Sequence, residues 1–133
     1  MPAGTAGWCG RLLAAVGDCA VCHTTPGGVT NAGGLAMQTP FGTLYSTNIT
    51  PDPETGIGNW SYTAFERAMR EGISRDGKHL YPAFPYTSFR NIDDADLQAL
   101  YALTSPERKK IAFQPAIRGR RLNGNCMSLG LAG

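Results

Sequence analysis

Residues 17–24 read GDCAVCHT, and the five at their heart, Cys19-Ala20-Val21-Cys22-His23, decide how the rest of the chain is read. Two thiols three positions apart sit on one helical turn, so each can add to a vinyl group of the same porphyrin. The adjoining His23 is then aimed at the iron from the proximal side. Two other chemistries share part of this pattern. A thioredoxin-like C-x-x-C expects a βαβ setting, and the chain has no strand-like alternating runs. A zinc site needs four ligands, and the remaining Cys9, His79 and Cys126 stand at spacings that match no familiar zinc module. The motif therefore predicts one covalently attached haem c, with its iron, per chain.

Working outward, residues 7–17 predict a short helix with Leu12, Leu13 and Val16 on one face and Gly17 at its end. Gly10 on that helix permits close approach of another element. From Thr24 to Gly58 no period of 3.6 or 2 is sustained, and Pro26, Gly27, Gly28, Gly33, Gly34, Pro40, Pro51, Pro53 and Gly56 punctuate the run. A second helix follows the cap-like Ser61, turns Phe65, Ala68 and Met69 inward, and ends at Gly72. Residues 72–91 again read as loop, broken by Gly77, Pro82 and Pro85. A third helix starts at Asp93 or Asp94, lines up Leu97, Leu100, Tyr101 and Leu103, and stops before Pro106. The expectation is an all-α domain of three or more short helices. Loops of this length inside a small domain need something to wrap around.

Composition agrees. A chain of 133 residues makes one domain, and Gly (17) with Pro (9) takes about a fifth of it, more than a closely packed helical bundle carries. Charge divides the chain: residues 1–106 carry a net −3 and residues 107–121 a net +5. We read 7–106 as the domain and 107–133 as a basic, Gly-rich, disordered tail with no nucleic-acid role. No stretch approaches the roughly 20 apolar residues that span a bilayer. The N-terminus, with no Lys or Arg before Arg11 and no long apolar run, does not read as a secretion signal. Cys9 and Cys126 belong to no second motif, and a disulfide and free thiols are both open to them.

The order of helix, GDCAVCHT, long loop, helix and final helix resembles a class I cytochrome c domain. More narrowly, TPFGTLYSTNITPD (39–52) and LYPAFPY (80–86) resemble one haem domain of the cytochrome c subunits of membrane-bound dehydrogenases for alcohols, aldehydes, gluconate and nicotinate. The likeness runs from about Gly10 to Pro106. It implies a class I fold wrapped around one haem, with thioether bonds at Cys19 and Cys22 and the proximal ligand at His23. It implies a crossing of the first helix, through Gly10 and Leu13, with the last, through Leu97, Leu100 and Tyr101. It also makes Tyr45, Ser46 and Asn48 propionate-binding residues, with ordinary loop hydrogen bonding as the competing role for each.

The family's LYPAxPY run commonly has methionine at x, which binds the iron from the distal side. Here that residue is Phe84, which has no lone pair to offer. Met37, in a flexible Gly-flanked loop, is the first substitute. His79 and Met69 follow, and an open or water-bound iron is the remaining possibility. The resemblance implies a one-electron carrier and oxidoreductase subunit in the periplasm or on the periplasmic face of the inner membrane. Its partners are a dehydrogenase and a downstream acceptor, quinone or terminal oxidase. No general acid, base or nucleophile constellation appears. The alternatives are a haem protein that binds or senses small ligands at an open distal site, and a truncated, haem-free relic.

Overall fold

The computed structural model describes residues 3–104, and over them the chain is predominantly helical with one small antiparallel sheet. The tail at 107–133, and Cys126 within it, lie outside the described residues. Helix α1 runs Ala3–Val16, starting four residues before the predicted residue 7. It closes where the Gly17 N–H bonds the Leu13 carbonyl at 2.8 Å, and Asp18, left-handed at φ 54°, turns the chain into the single turn α2, Cys19–His23.

Helix α3, Tyr62–Glu71, is capped as the sequence predicts. The Ser61 hydroxyl accepts the Ala64 N–H at 3.1 Å, and Gly72 ends the helix in the left-handed region with its N–H on the Ala68 carbonyl. Helix α5, Asp94–Leu103, starts from an Asp93 carboxylate that accepts the Ala95 N–H at 2.8 Å. A four-residue helix α4, Tyr86–Phe89, lies within the stretch expected to be loop.

The all-α expectation needs one correction. Strands β1, Ala36–Thr39, and β2, Gly42–Tyr45, form a hairpin with Ala36 opposite Tyr45, Met37 opposite Leu44, Gln38 opposite Thr43 and Thr39 opposite Gly42. Its alternation covers only four residues a strand, with Met37 and Leu44 as the apolar pair, too short to stand out from the surrounding Gly and Pro. Met37 is therefore a half-buried strand residue and not part of a flexible loop.

The core forms where α1 crosses α5. Cys9 and Ala99 meet with Leu12 and Leu13 beside them, and Leu13 also joins the larger group of Phe65, Leu97 and Leu100. Leu97 is wholly buried. Tyr101 ties this core to the start of α3: its hydroxyl donates to the Trp60 carbonyl at 2.7 Å, and its ring meets Tyr62 edge-on at 5.4 Å. From α3, Arg70 donates to the carbonyls of Arg90 and Ile92, each at 2.8 Å, and to Asp94 at 2.6 Å. These bonds pin the segment before α5. The Arg70–Asp94 ion pair itself adds little, because Asp94 is well exposed.

Gly10 carries the expected close approach. A Cβ there would overlap the Ala99 carbonyl oxygen and stand 3.0 Å from its carbon and 3.1 Å from Leu103 Cδ1. Gly10→Ala should therefore lose stability. The helix-propensity gain of about 1 kcal/mol is outweighed by overpacking against backbone, worth about 1–3 kcal/mol, and thermal unfolding should show a lower Tm. A second prediction concerns Asp96, buried in the first turn of α5. Burial, followed by the charge of Asp93, holds its carboxyl above the ordinary value of 3.8. The folded state then binds this proton more tightly than the unfolded chain, so the contribution is full at low pH and is lost as pH rises above 3.8. Asp96→Asn should gain on the parent as pH is raised towards neutrality, seen as a Tm difference that widens with pH.

Candidate functional site

The single turn of α2 presents both thiols of the motif unpaired, Cys19 half-buried and Cys22 exposed. Burial pushes the Cys19 thiol pKa up, and the charges of Asp18 and Cys22 add to this against a backbone hydrogen bond that lowers it. His23 closes the turn with its Nδ1 2.7 Å from the carbonyl oxygen of Thr47. A carbonyl can only accept, so Nδ1 carries the hydrogen, and in the neutral ring Nε2 then holds the lone pair. This is the arrangement in which a histidine serves as a metal ligand, one ring nitrogen fixing the tautomer for the other. Thr47 was not among the residues singled out from the sequence. Its contribution is a backbone carbonyl, and no side-chain pattern signals one.

Three segments lie side by side to place that carbonyl. The Gly33 N–H donates to the His23 carbonyl at 2.7 Å, and Thr24 bridges Gly33 in parallel. On the other side the Gly34 N–H donates to the Ser46 carbonyl at 2.8 Å, Ser46 N–H to Leu35 at 3.0 Å, and Ile49 N–H to Asn31 at 2.9 Å. The segment 31–35 is thus laminated between His23–Thr24 and residues 46–49. The hairpin β1–β2 projects from this lamination.

Of the three polar residues predicted at a cofactor edge, two are engaged within the loop. The Ser46 hydroxyl accepts the Leu35 N–H at 3.0 Å. The Asn48 side chain accepts from Thr50 N–H at 2.8 Å and from its hydroxyl at 2.6 Å, and donates to Thr55 at 3.0 Å. Tyr45, at the end of β2, is 66% exposed.

Phe84 stacks on Phe89 at 5.7 Å and 11°. Phe89 in turn reaches the motif: a Cβ on Gly17 would stand 3.2 Å from its ring and 3.7 Å from the Cys19 sulfur. The LYPAFPY run is thereby brought to the C-x-x-C-H turn, with the Phe84 ring in the place where the resemblance implies a methionine. Met69 packs against the Phe65–Leu97–Leu100 group, as core. His79 is exposed, with its backbone bridged to Ile73. Met37 pairs with Leu44 in the hairpin.

The residues fit a c-type haem. The donor set offers two unpaired thiols on one turn and an imidazole with a free Nε2, and Val16, Val21, Val29 and Tyr81 stay exposed on the segments around the motif and on the 80–86 run. Among the described residues no three His, Cys, Asp or Glu side chains converge as a metal-ion site, and the lone hairpin provides no βαβ unit.

Comparison with known proteins points the same way. The family model described as Cytochrome c matches residues 10–103. The chain is 85% identical over 93 residues to a subunit of the nicotinate dehydrogenase of Pseudomonas putida, covering 70% of this chain and 8% of that protein. It is 55% identical over 93 residues to the gluconate 2-dehydrogenase cytochrome c subunit of Pantoea cypripedii, covering 70% and 21%. It is 53% identical over 93 residues to the cytochrome c subunit of the quinone-dependent alcohol dehydrogenase of Gluconacetobacter polyoxogenes, covering 70% and 20%. The chain thus spans about a fifth or less of the length of these relatives.

Proposed function

Because the chain belongs to the cytochrome c family, whose members carry a covalently bound c-type haem, we propose that it is a one-electron carrier of a dehydrogenase complex. The observation that carries this reading is the turn Cys19–His23, with two unpaired thiols and an imidazole whose Nδ1 is bonded to Thr47. When bound, the haem supplies an iron that gains and gives back a single electron. Everything else falls to the chain's own residues. Cys19 and Cys22 would hold the haem through two thioethers, in each of which the S–H adds across a vinyl group, sulfur to one carbon and hydrogen to the other. His23 offers Nε2 to the iron in an orientation that Thr47 fixes. The loops 24–58 and 72–91 enclose the cofactor in a class I arrangement, with Tyr45 as the residue most open to a propionate.

By analogy with the named subunits, the electron comes from a dehydrogenase and passes to quinone or a terminal oxidase, in the periplasm or on the periplasmic face of the inner membrane. Among the described residues no helix is long and apolar enough to cross a membrane.

The stack of Phe84 on Phe89 favours one second reading. A haem with an open sixth position binds small ligands, whereas a thioether from Met37 closes that position and raises the potential. Expression with an export signal in a host that attaches c-type haem should give a protein that keeps its haem under denaturing conditions. Cys19→Ala/Cys22→Ala should release it, and a colourless parent would overturn the carrier and leave a haem-free relic. In the oxidised parent, a far-red sulfur-to-iron band that disappears in Met37→Leu identifies Met37 as the sixth ligand. A high-spin spectrum with ready carbon monoxide binding identifies the open site. Phe84→Met should then gain the band, raise the potential and lose carbon monoxide binding.

A further inference from the structure

Gly33 stands between the two groups whose separation determines how His23 is held. On one side its N–H donates to the His23 carbonyl at 2.7 Å. On the other, its α-carbon lies against the peptide that accepts the His23 ring. A Cβ at this position would be 2.5 Å from the Thr47 carbonyl carbon, 2.6 Å from the Thr47 oxygen and 2.6 Å from the Ser46 oxygen. These neighbours are backbone atoms, so they cannot swing aside as a flexible side chain would. The residue is buried and left-handed, at φ +75°. Its neighbour Gly34 provides an internal contrast: φ is +89°, yet nothing lies within 4 Å of where its Cβ would be.

We infer that Gly33 is a positioning residue that sets the length of the His23–Thr47 hydrogen bond, and through it the reduction potential of the iron. This rests on the reading of His23 as the axial ligand. The physical link is basicity. An imidazole that donates a short Nδ1–H bond to a carbonyl becomes the stronger electron donor at Nε2 and favours the oxidised metal. A side chain at position 33 overlaps the Thr47 peptide, so the acceptor carbonyl is displaced from the position in which it holds the ring and the bond weakens. The missing side chain of Gly33 thus acts as a spacer of fixed thickness between His23–Thr24 and the acceptor peptide.

The test compares haem-loaded parent, Gly33→Ala and Gly34→Ala. Both substitutions place a Cβ on left-handed backbone, so both carry its strain, but only the first displaces Thr47. Two quantities are measured: the midpoint potential, and the solvent exchange of the His23 Nδ1 proton by NMR of the reduced protein. Gly33→Ala should shift the potential upward and exchange the ring proton several-fold faster, while Gly34→Ala stays at the parent values. If Gly33→Ala alone does not accumulate, the comparison is made in the Asp96→Asn background, whose substitution lies in α5. Equal potentials and equal exchange rates in the two glycine variants would overturn the inference. A parent protein with no haem-shifted His23 ring resonance would instead overturn the ligand assignment itself, and the inference with it.

Discussion

One hydrogen bond organises this molecule's chemistry: the His23 Nδ1–H to the carbonyl of Thr47, made across 24 residues of sequence. It selects the tautomer and holds the end of α2 to the loop that follows the hairpin. Its partner is a peptide group, whose acceptor strength depends on where the backbone is held and not on which side chain occupies position 47. Control over the imidazole is therefore exercised by whatever packs against that peptide. The lamination of residues 31–35 between His23 and residues 46–49 is that packing, and its run of backbone bonds leaves the Thr47 carbonyl little freedom to drift.

Elsewhere the chain relies on a small number of polar ties instead of a large apolar interior. Tyr101 reaches across to the Trp60 carbonyl, and Arg70 divides its guanidinium between two carbonyls and two carboxylates. Arg is suited to this because its planar fork presents several donors in fixed directions, which a lysine ammonium cannot reproduce. Such ties specify where loops lie without requiring them to bury much surface. That suits a chain with loops as long as 24–58 and 72–91.

Much of this could be read from the sequence, for reasons that differ from element to element. The C-x-x-C-H turn declares itself because its chemistry resides in side chains at fixed spacing. The ends of α3 and the start of α5 were legible because Ser61, Gly72 and Asp93 each perform a local capping function that no distant contact overrides. Gly10 announced the helix crossing for the same reason: a missing side chain on an apolar face implies something close against it. The hairpin and α4 were not legible, since four residues are too few to establish a period. Thr47 could not be found at all, because backbone acceptors are identical along the chain. Ser46 and Asn48 show the converse: their polarity was visible, and the structure adds the loop hydrogen bonds they make.

The crossing of α1 with α5 also bears on how fast the domain can assemble. Gly10 and Ala99 meet across nearly the whole described chain, so the core closes one of the longest loops available to it. Helical proteins usually fold quickly because their contacts are local, and this one gives up that advantage at its central contact. Closure entropy grows only slowly with loop length, but it is incurred before the buried Leu97 and Leu100 return anything. A group anchored at Cys19 and Cys22 and gathered in by the loops on either side would divide that single long closure into several short ones. Such an attachment would act on the order of folding events: the encounter of α1 with α5 would become the last of a series of local steps.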